Sequence, residues 1–196
     1  MILTNALKHF NTIMKHKWVV FKLSVKAGIP LRGLKHDLSK FSPTEFWESA
    51  KYYQGNRSPI MGAKLAKGYS KAWLHHKGRN KHHPEYWHDP RSRIKAPIIP
   101  YKYTVEMICD TLAAGIVYSG KNWTRRTQLE YWEKERDKSP LSKEGKELLT
   151  DVYTQIAEKG INPVLTPRNL KQLYKKYCGK GNEQLLKDIK KQIKSK

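Results

Sequence analysis

Residues 4–28 carry apolar side chains around most of a helix. Leu7, Phe10, Met14, Trp18, Phe21 and Val25 recur at helical spacing as one stripe, and Ile13, Val20 and Leu23 form a second. Only a narrow polar strip with Lys8, Lys15 and Lys22 remains between them. A helix this apolar is expected near the middle of a bundle, capped at Thr4 or Asn5 and ended near Gly28. His16 falls among Ile13, Val20 and Leu23, so it is expected to face inward.

The rest of the chain continues the helical reading. Pro30 suits the first turn of a second helix, expected to carry His36 and Asp37. Ser42-Pro43-Thr44-Glu45 is a capping box with proline at the first helical position, and it predicts a third helix to about Gly55. A mixed stretch follows to Gly68, then a helix near 69–76. The segment 78–100 reads as a long structured loop. Helix resumes after Pro100 to about Ser119, with Glu106, Asp110, Ala113 and Val117 on one face. Further helices are expected near 124–137, 142–159 and 166–179, and the chain closes on a short basic amphipathic helix. There is no internal repeat and no convincing strand alternation. The expectation is an all-α chain: a helical metal-binding domain over 1–160 and a basic helical extension over 161–196.

The charge is far from balanced, +22 at neutral pH. Such a field draws polyanions and speeds their encounter. Gly160 to Lys196 alone holds ten basic residues against two acidic ones, and Lys187, Lys190, Lys191, Lys194 and Lys196 are expected on the surface. Cys109 and Cys178 form no disulfide or metal motif, and Cys109 reads as a small buried hydrophobe. The N-terminal apolar residues alternate with Lys and His rather than forming a signal peptide, and no stretch approaches a membrane span. A cytoplasmic protein without a membrane partner is expected.

Within the helical pattern lies an ordered set of ligand-type residues. His16 comes first, then the His36-Asp37 pair, then His75-His76 and His82-His83, then Asp110 in the apolar segment VEMICDTLAAGIV. Imidazole and carboxylate are what borderline divalent metals accept. An unpaired carboxylate on an apolar helix is costly, so Asp110 in particular calls for a partner. His16, His36, Asp37 and Asp110 are expected to converge on one ion, as helices of a bundle commonly arrange. Asp37 has two oxygens and could bridge to a second ion held by His76 and His83. His9 and His88 read as ordinary surface or core histidines.

The order His16, His36-Asp37, Asp110 on a helical background resembles the HD-domain metal-dependent phosphohydrolases. HDLSK is similar to the HD-x-x-K form common in that superfamily, and the run from His75 to His83 resembles the extra histidines of its two-metal members. GLKHDLSKFSPTEF, HHKGRNKHHPEYW and EMICD look most like an uncharacterised HD-like family of bacteria and their phages. The resemblance spans about Thr4 to Ser119. It implies an HD-like helical bundle with extra C-terminal helices, holding one or two divalent ions (Mn, Fe, Zn, Ni or Mg). It also implies a phosphomonoesterase or phosphodiesterase that activates water against phosphorus on a nucleotide or oligonucleotide-type substrate. In that reading Asp37, Lys40 and Glu106 serve catalysis, with Glu106 either supporting a ligand or positioning water. Lys40, Arg79, His75, His82 and Trp87 contact the substrate, and Trp73 or Tyr86 could also stack on a base. Two other readings fit the sequence. One is a basic nucleic-acid- or partner-binding protein whose metal site is structural or vestigial. The other is a diiron oxygenase.

Overall fold

A computed structural model of the chain describes residues 2–194. Among them every regular element is helical and no strand occurs. In chain order these are α1 (Ile2–Lys26), α2 (Pro30–Lys35), a 3-10 turn (Leu38–Phe41), α3 (Pro43–Lys51), α4 (Pro59–Lys67), α5 (Lys71–Arg79) and α6 (Pro84–Trp87). The second half holds α7 (Tyr101–Ser119), a 3-10 turn (Gly120–Asn122), α8 (Thr127–Glu135), α9 (Lys143–Lys159), α10 (Ile161–Val164), α11 (Pro167–Cys178) and α12 (Gly181–Lys194). The starts follow ordinary chemistry. Ser42, Ser70, Ser142 and Thr166 each accept a backbone N–H three residues on, and Pro30, Pro43, Pro59, Pro84 and Pro167 open their helices where a missing N–H costs nothing.

The central position belongs to α7 rather than α1. Val105, Ile108, Cys109, Leu112 and Ala113 of α7 are all buried, against Val20 and Leu23 of α1, Leu129 and Trp132 of α8, and Val152, Tyr153 and Ile156 of α9. Each aliphatic side chain so buried contributes roughly 1.5–3 kcal/mol. Val164 of α10, the following Leu165, and Leu170, Leu173 and Cys178 of α11 join the same core, so the segment after residue 160 packs into the bundle at least through Cys178. On α12, Lys187, Lys190 and Lys191 are exposed. Lys196 and the side chain of Lys194 lie outside the described residues.

α1 departs from its expected place. Ala6, Ile13, Val20, Leu23 and Ala27 are buried, but the other stripe is largely in solvent: Leu7 is 69% and Trp18 60% exposed. The helix packs on α2, α3 and α7 along one side, and no described element covers the other. The sequence specified two apolar faces, and the fold uses one.

α2 crosses α1 closely at Gly33. A Cβ there would stand 2.5 Å from Ser24 Cβ and 3.2 Å from Phe21 Cα, so a side chain at position 33 must push α2 away. This matters because α2 ends at Lys35 and does not carry His36 and Asp37 as expected. His36 turns extended (φ −57°, ψ 129°) and Asp37 takes the left-handed region (φ 52°, ψ 34°), the only non-glycine residue with positive φ among those described. That conformation is uncommon, though Asp tolerates it better than most residues.

Candidate metal centre

The break after α2 lets two adjacent side chains address one centre, which a continuous helix would splay by about 100°. Four residues meet there as one group, His16 from α1, His36 and Asp37 from the break, and Asp110 from α7. Each offers a ligand atom within 4.8 Å of the others. Asp110 Oδ1 lies 2.9 Å from His16 Nε2 and 3.3 Å from His36 Nε2, and His36 Nε2 is 3.2 Å from Asp37 Oδ2. A second group shares Asp37 and adds His76, His82 and His83, within the same spread. Asp37 Oδ1 is 3.5 Å from both His76 Nε2 and His82 Nε2, and Asp110 Oδ2 is 3.5 Å from His82 Nε2. Each carboxylate thus turns one oxygen toward each group.

The residues fit divalent ions. His16 Nε2, His36 Nε2, His82 Nε2, His83 Nε2 and both oxygens of Asp37 are buried without an aligned hydrogen bond. Leaving such atoms unsatisfied costs roughly 1–3 kcal/mol each. Some of the six lie within ion-pair distance of one another or, at Asp37 Oδ2, of Lys40. Together these buried His/Asp/Glu groups offer donors that could hold a metal ion.

Outer carboxylates fix the imidazoles. Glu106 on α7 is 2% exposed. Its Oε1 accepts from His36 Nδ1 at 3.2 Å and lies 3.4 Å from His82 Nδ1, while Oε2 accepts from Arg32 Nε at 2.8 Å. Burial works against its charge, but the His36 and His82 bonds, the His82 charge and Arg32 bring its pKa down to about 2. An ionised carboxylate only accepts, so Nδ1 carries a proton and Nε2 is the ring atom turned toward the centre. Glu45 repeats the arrangement, accepting from His76 Nδ1 at 2.8 Å and His75 Nδ1 at 2.6 Å. In a capping box Glu45 would reach back to the Ser42 N–H. That N–H bonds Ser39 O instead, which frees the carboxylate for the histidines.

Within the centre the acidic and basic groups set one another's protonation. Burial alone would lower the His36 pKa. The Asp37 charge and bonds from Asp110, Asp37 and Glu106 override it and hold the imidazole well above its ordinary value. Burial opposes the charge on Asp37 too, yet His36, Lys40, His76 and His82 hold its carboxyl far below the usual range. Asp110 is held low in the same way by His16, His36 and His82. His16 and His83 are pushed down, first by burial and then by neighbouring positive charge.

A cavity of about 700 Å³ opens beside the centre, with His16, Asp37, His76, His83 and Asp110 in its wall. Lys40 lines it too, its Nζ 2.7 Å from Asp37 Oδ2. Arg57, Trp73, Gln128, Tyr131 and Trp132 are also among its lining residues.

Of the expected ligands, His16, His36, Asp37, His76, His83 and Asp110 are brought together. His82, expected against the substrate, is buried with its Nε2 among the ligand atoms, because 82 and 83 sit in a turn where both rings reach the centre. His75 does not line the cavity and instead braces Glu45. Arg79 is exposed and bonds the His75 carbonyl, away from the cavity. Trp87 donates to Lys81 O and packs against Tyr103 and the core. Glu106 sits behind the histidines, off the cavity wall, so of its two expected roles the geometry gives it the supporting one. His9, read as an ordinary histidine, is buried, lines the cavity and leaves Nδ1 unpartnered. Arg57, Gln128 and Tyr131 carried no signal in the sequence, since nothing local links them to the ligand set.

Residues 5–155 match the model of a protein family described as "Family of unknown function (DUF5662)". No curated protein and no solved structure matches the chain. No described helix is long and apolar enough to cross a membrane.

Proposed function

The chain belongs to this family of unknown function, and from its site we propose a metal-dependent phosphohydrolase of the HD type acting on a nucleotide-like phosphoester. The observation that supports this most is the shared Asp37, with ligand-type groups on both its oxygens at the wall of a cavity that also presents Lys40 and Arg57. Divalent ions held there lower the pKa of water and neutralise charge on phosphoryl oxygens. The imidazoles of His16, His36, His76, His82 and His83 and the carboxylates of Asp37 and Asp110 would hold the ions, and Glu106 and Glu45 keep His36, His82 and His76 turned toward the centre. A ligand set this rich in imidazole suits Mn, Fe, Zn or Ni better than Mg. Lys40 and Arg57 bind the phosphoryl oxygens. Trp73, Tyr131 and Trp132 shape the rest of the cavity, where a base can stack on an aromatic face.

The test begins with elemental analysis of protein purified without a metal-affinity column. Turnover of small nucleotides is then followed before and after chelation. Asp37→Ala removes the carboxylate common to both groups, and it is expected to abolish bound metal and hydrolysis together while circular dichroism shows the fold retained. Full hydrolysis by this variant with metal still bound sinks the proposal. Metal-dependent consumption of oxygen without phosphate release turns the same centre into an oxygenase.

A further inference from the structure

α1 presents Leu3, Leu7, Phe10, Met14, Trp18 and Val25 to solvent, each between 42% and 73% exposed. Phe10 meets Phe41 at 6.1 Å between ring centroids, which joins the stripe to the exposed Leu38 and Phe41 of the following 3-10 turn. The patch is therefore continuous rather than a scatter of single apolar residues, and contiguous exposed patches mark interaction surfaces. Lys8, Lys15 and Lys22 run beside the stripe, seven residues apart and all exposed. Lys22 Nζ lies 5.8 Å over the Trp18 ring, a cation leaning across the apolar body. In residues 2–44 the sole acidic residue is Asp37, which is buried, so this face offers no carboxylate to a partner.

Those observations choose among occupants. A second copy would set two lysine rows and two +22 charges against each other with no acid to pair them. A nucleic acid would take the lysines and leave Leu3, Leu7, Met14 and Val25 in water. A surface that is anionic outside and hydrocarbon just beneath satisfies both. We propose that this face of α1 docks peripherally on an anionic lipid bilayer. The helix lies in the interface plane, about 37 Å long at the ordinary rise. The stripe enters the headgroup–acyl boundary, Trp18 sits at headgroup level, and the lysines meet lipid phosphates. The docking face and the metal centre use opposite sides of α1, since His16 points into the bundle. The proposal does not rest on the phosphohydrolase reading.

The experiment is co-sedimentation of the full chain with vesicles of phosphatidylcholine, alone or with about one third phosphatidylglycerol. Affinity is expected to be at least about tenfold higher for the anionic vesicles. Leu7→Gln/Phe10→Gln/Trp18→Gln changes only exposed side chains and is expected to lose about tenfold or more. Lys8→Gln/Lys15→Gln/Lys22→Gln is expected to lose up to about fivefold per lysine. Unchanged melting and metal content in both variants separate docking from folding. Absence of vesicle binding overturns the proposal. So does wild-type binding by the stripe variant, which would leave only diffuse attraction by net charge. Sedimentation equilibrium showing a dimer that the stripe variant abolishes would give the face to a second copy. DNA binding that the stripe variant weakens would give it to nucleic acid.

Discussion

Glu106→Gln is the sharpest probe of how the centre is built. It keeps the volume of a side chain that is 2% exposed, and it removes the charge that orients two imidazoles. A partner that fixes one metal-bound histidine is worth about 10–100-fold in metal affinity. Glu106 serves both His36 and His82, so the expected loss lies near the upper end, about 100-fold, or about 2.7 kcal/mol. Protons compete in the opposite sense. Glu106 is one of the groups holding the His36 pKa well above its ordinary value, so the variant also releases His36 from its proton more readily. The affinity loss should therefore grow as pH rises across the range in which the protein stays folded, because relief from proton competition offsets part of it wherever His36 still carries its extra proton. Arg32 loses a charged partner, but its side chain is 35% exposed and water can take over, so the metal-free fold should soften by only a few degrees. Chelator competition with zinc or manganese across that pH range reads the affinity, and metal-free melting reads the fold. Affinity within about threefold of wild type at high pH would refute the reasoning and reduce Glu106 to an anchor for Arg32.

Two further outcomes are expected. Gly33→Val must separate α2 from α1, since a Cβ at position 33 already overlaps Ser24 Cβ at 2.5 Å; overpacking of this kind costs about 1–3 kcal/mol and should carry His36 and Asp37 out of place, so melting temperature and metal content fall together, and retention of full metal content would contradict the positioning role of that crossing. His9 has its pKa lowered to about 4, by burial first and then by Lys40, so in this range the unfolded chain binds a proton that the folded one does not. Stability is therefore fully present above the ordinary value of 6.5 and is lost as pH falls from there toward 4. His9→Phe should flatten that slope in urea unfolding measured across the window, and an unchanged slope would assign it to other groups.

What could be read in advance divides along a physical line. Helical periodicity and capping chemistry are local, so α3, α5, α7, α8, α9 and α11 and the inward faces of His16 and Asp110 were legible; α4, hidden in a stretch broken by Gly62 and Gly68, and the short α6, inside the segment read as a loop, were not. Coverage is not local. Two apolar stripes on α1 say that both avoid water in a helix, but not that neighbours exist for both, and the structure leaves one of them bare. Conformation at the break after α2 is hidden for a related reason. Nothing between Leu34 and Lys40 is glycine or proline, so the periodic pattern runs straight through His36 and Asp37. The break costs about 1–3 kcal/mol at Asp37. A continuous helix would separate the two side chains by about 100°. It would then offer the ligand atoms of His16, Asp110 and His76 at most one of the pair. The same surplus of context decides Glu45. Its place in the capping box predicts a bond to Ser42, but the Ser42 N–H is satisfied by Ser39, and the carboxylate goes to His75 and His76 instead. In both places a local rule yields where ligand-type side chains converge, and both departures serve the shell around Asp37. That is the pattern expected when a site, rather than the fold, sets the residue.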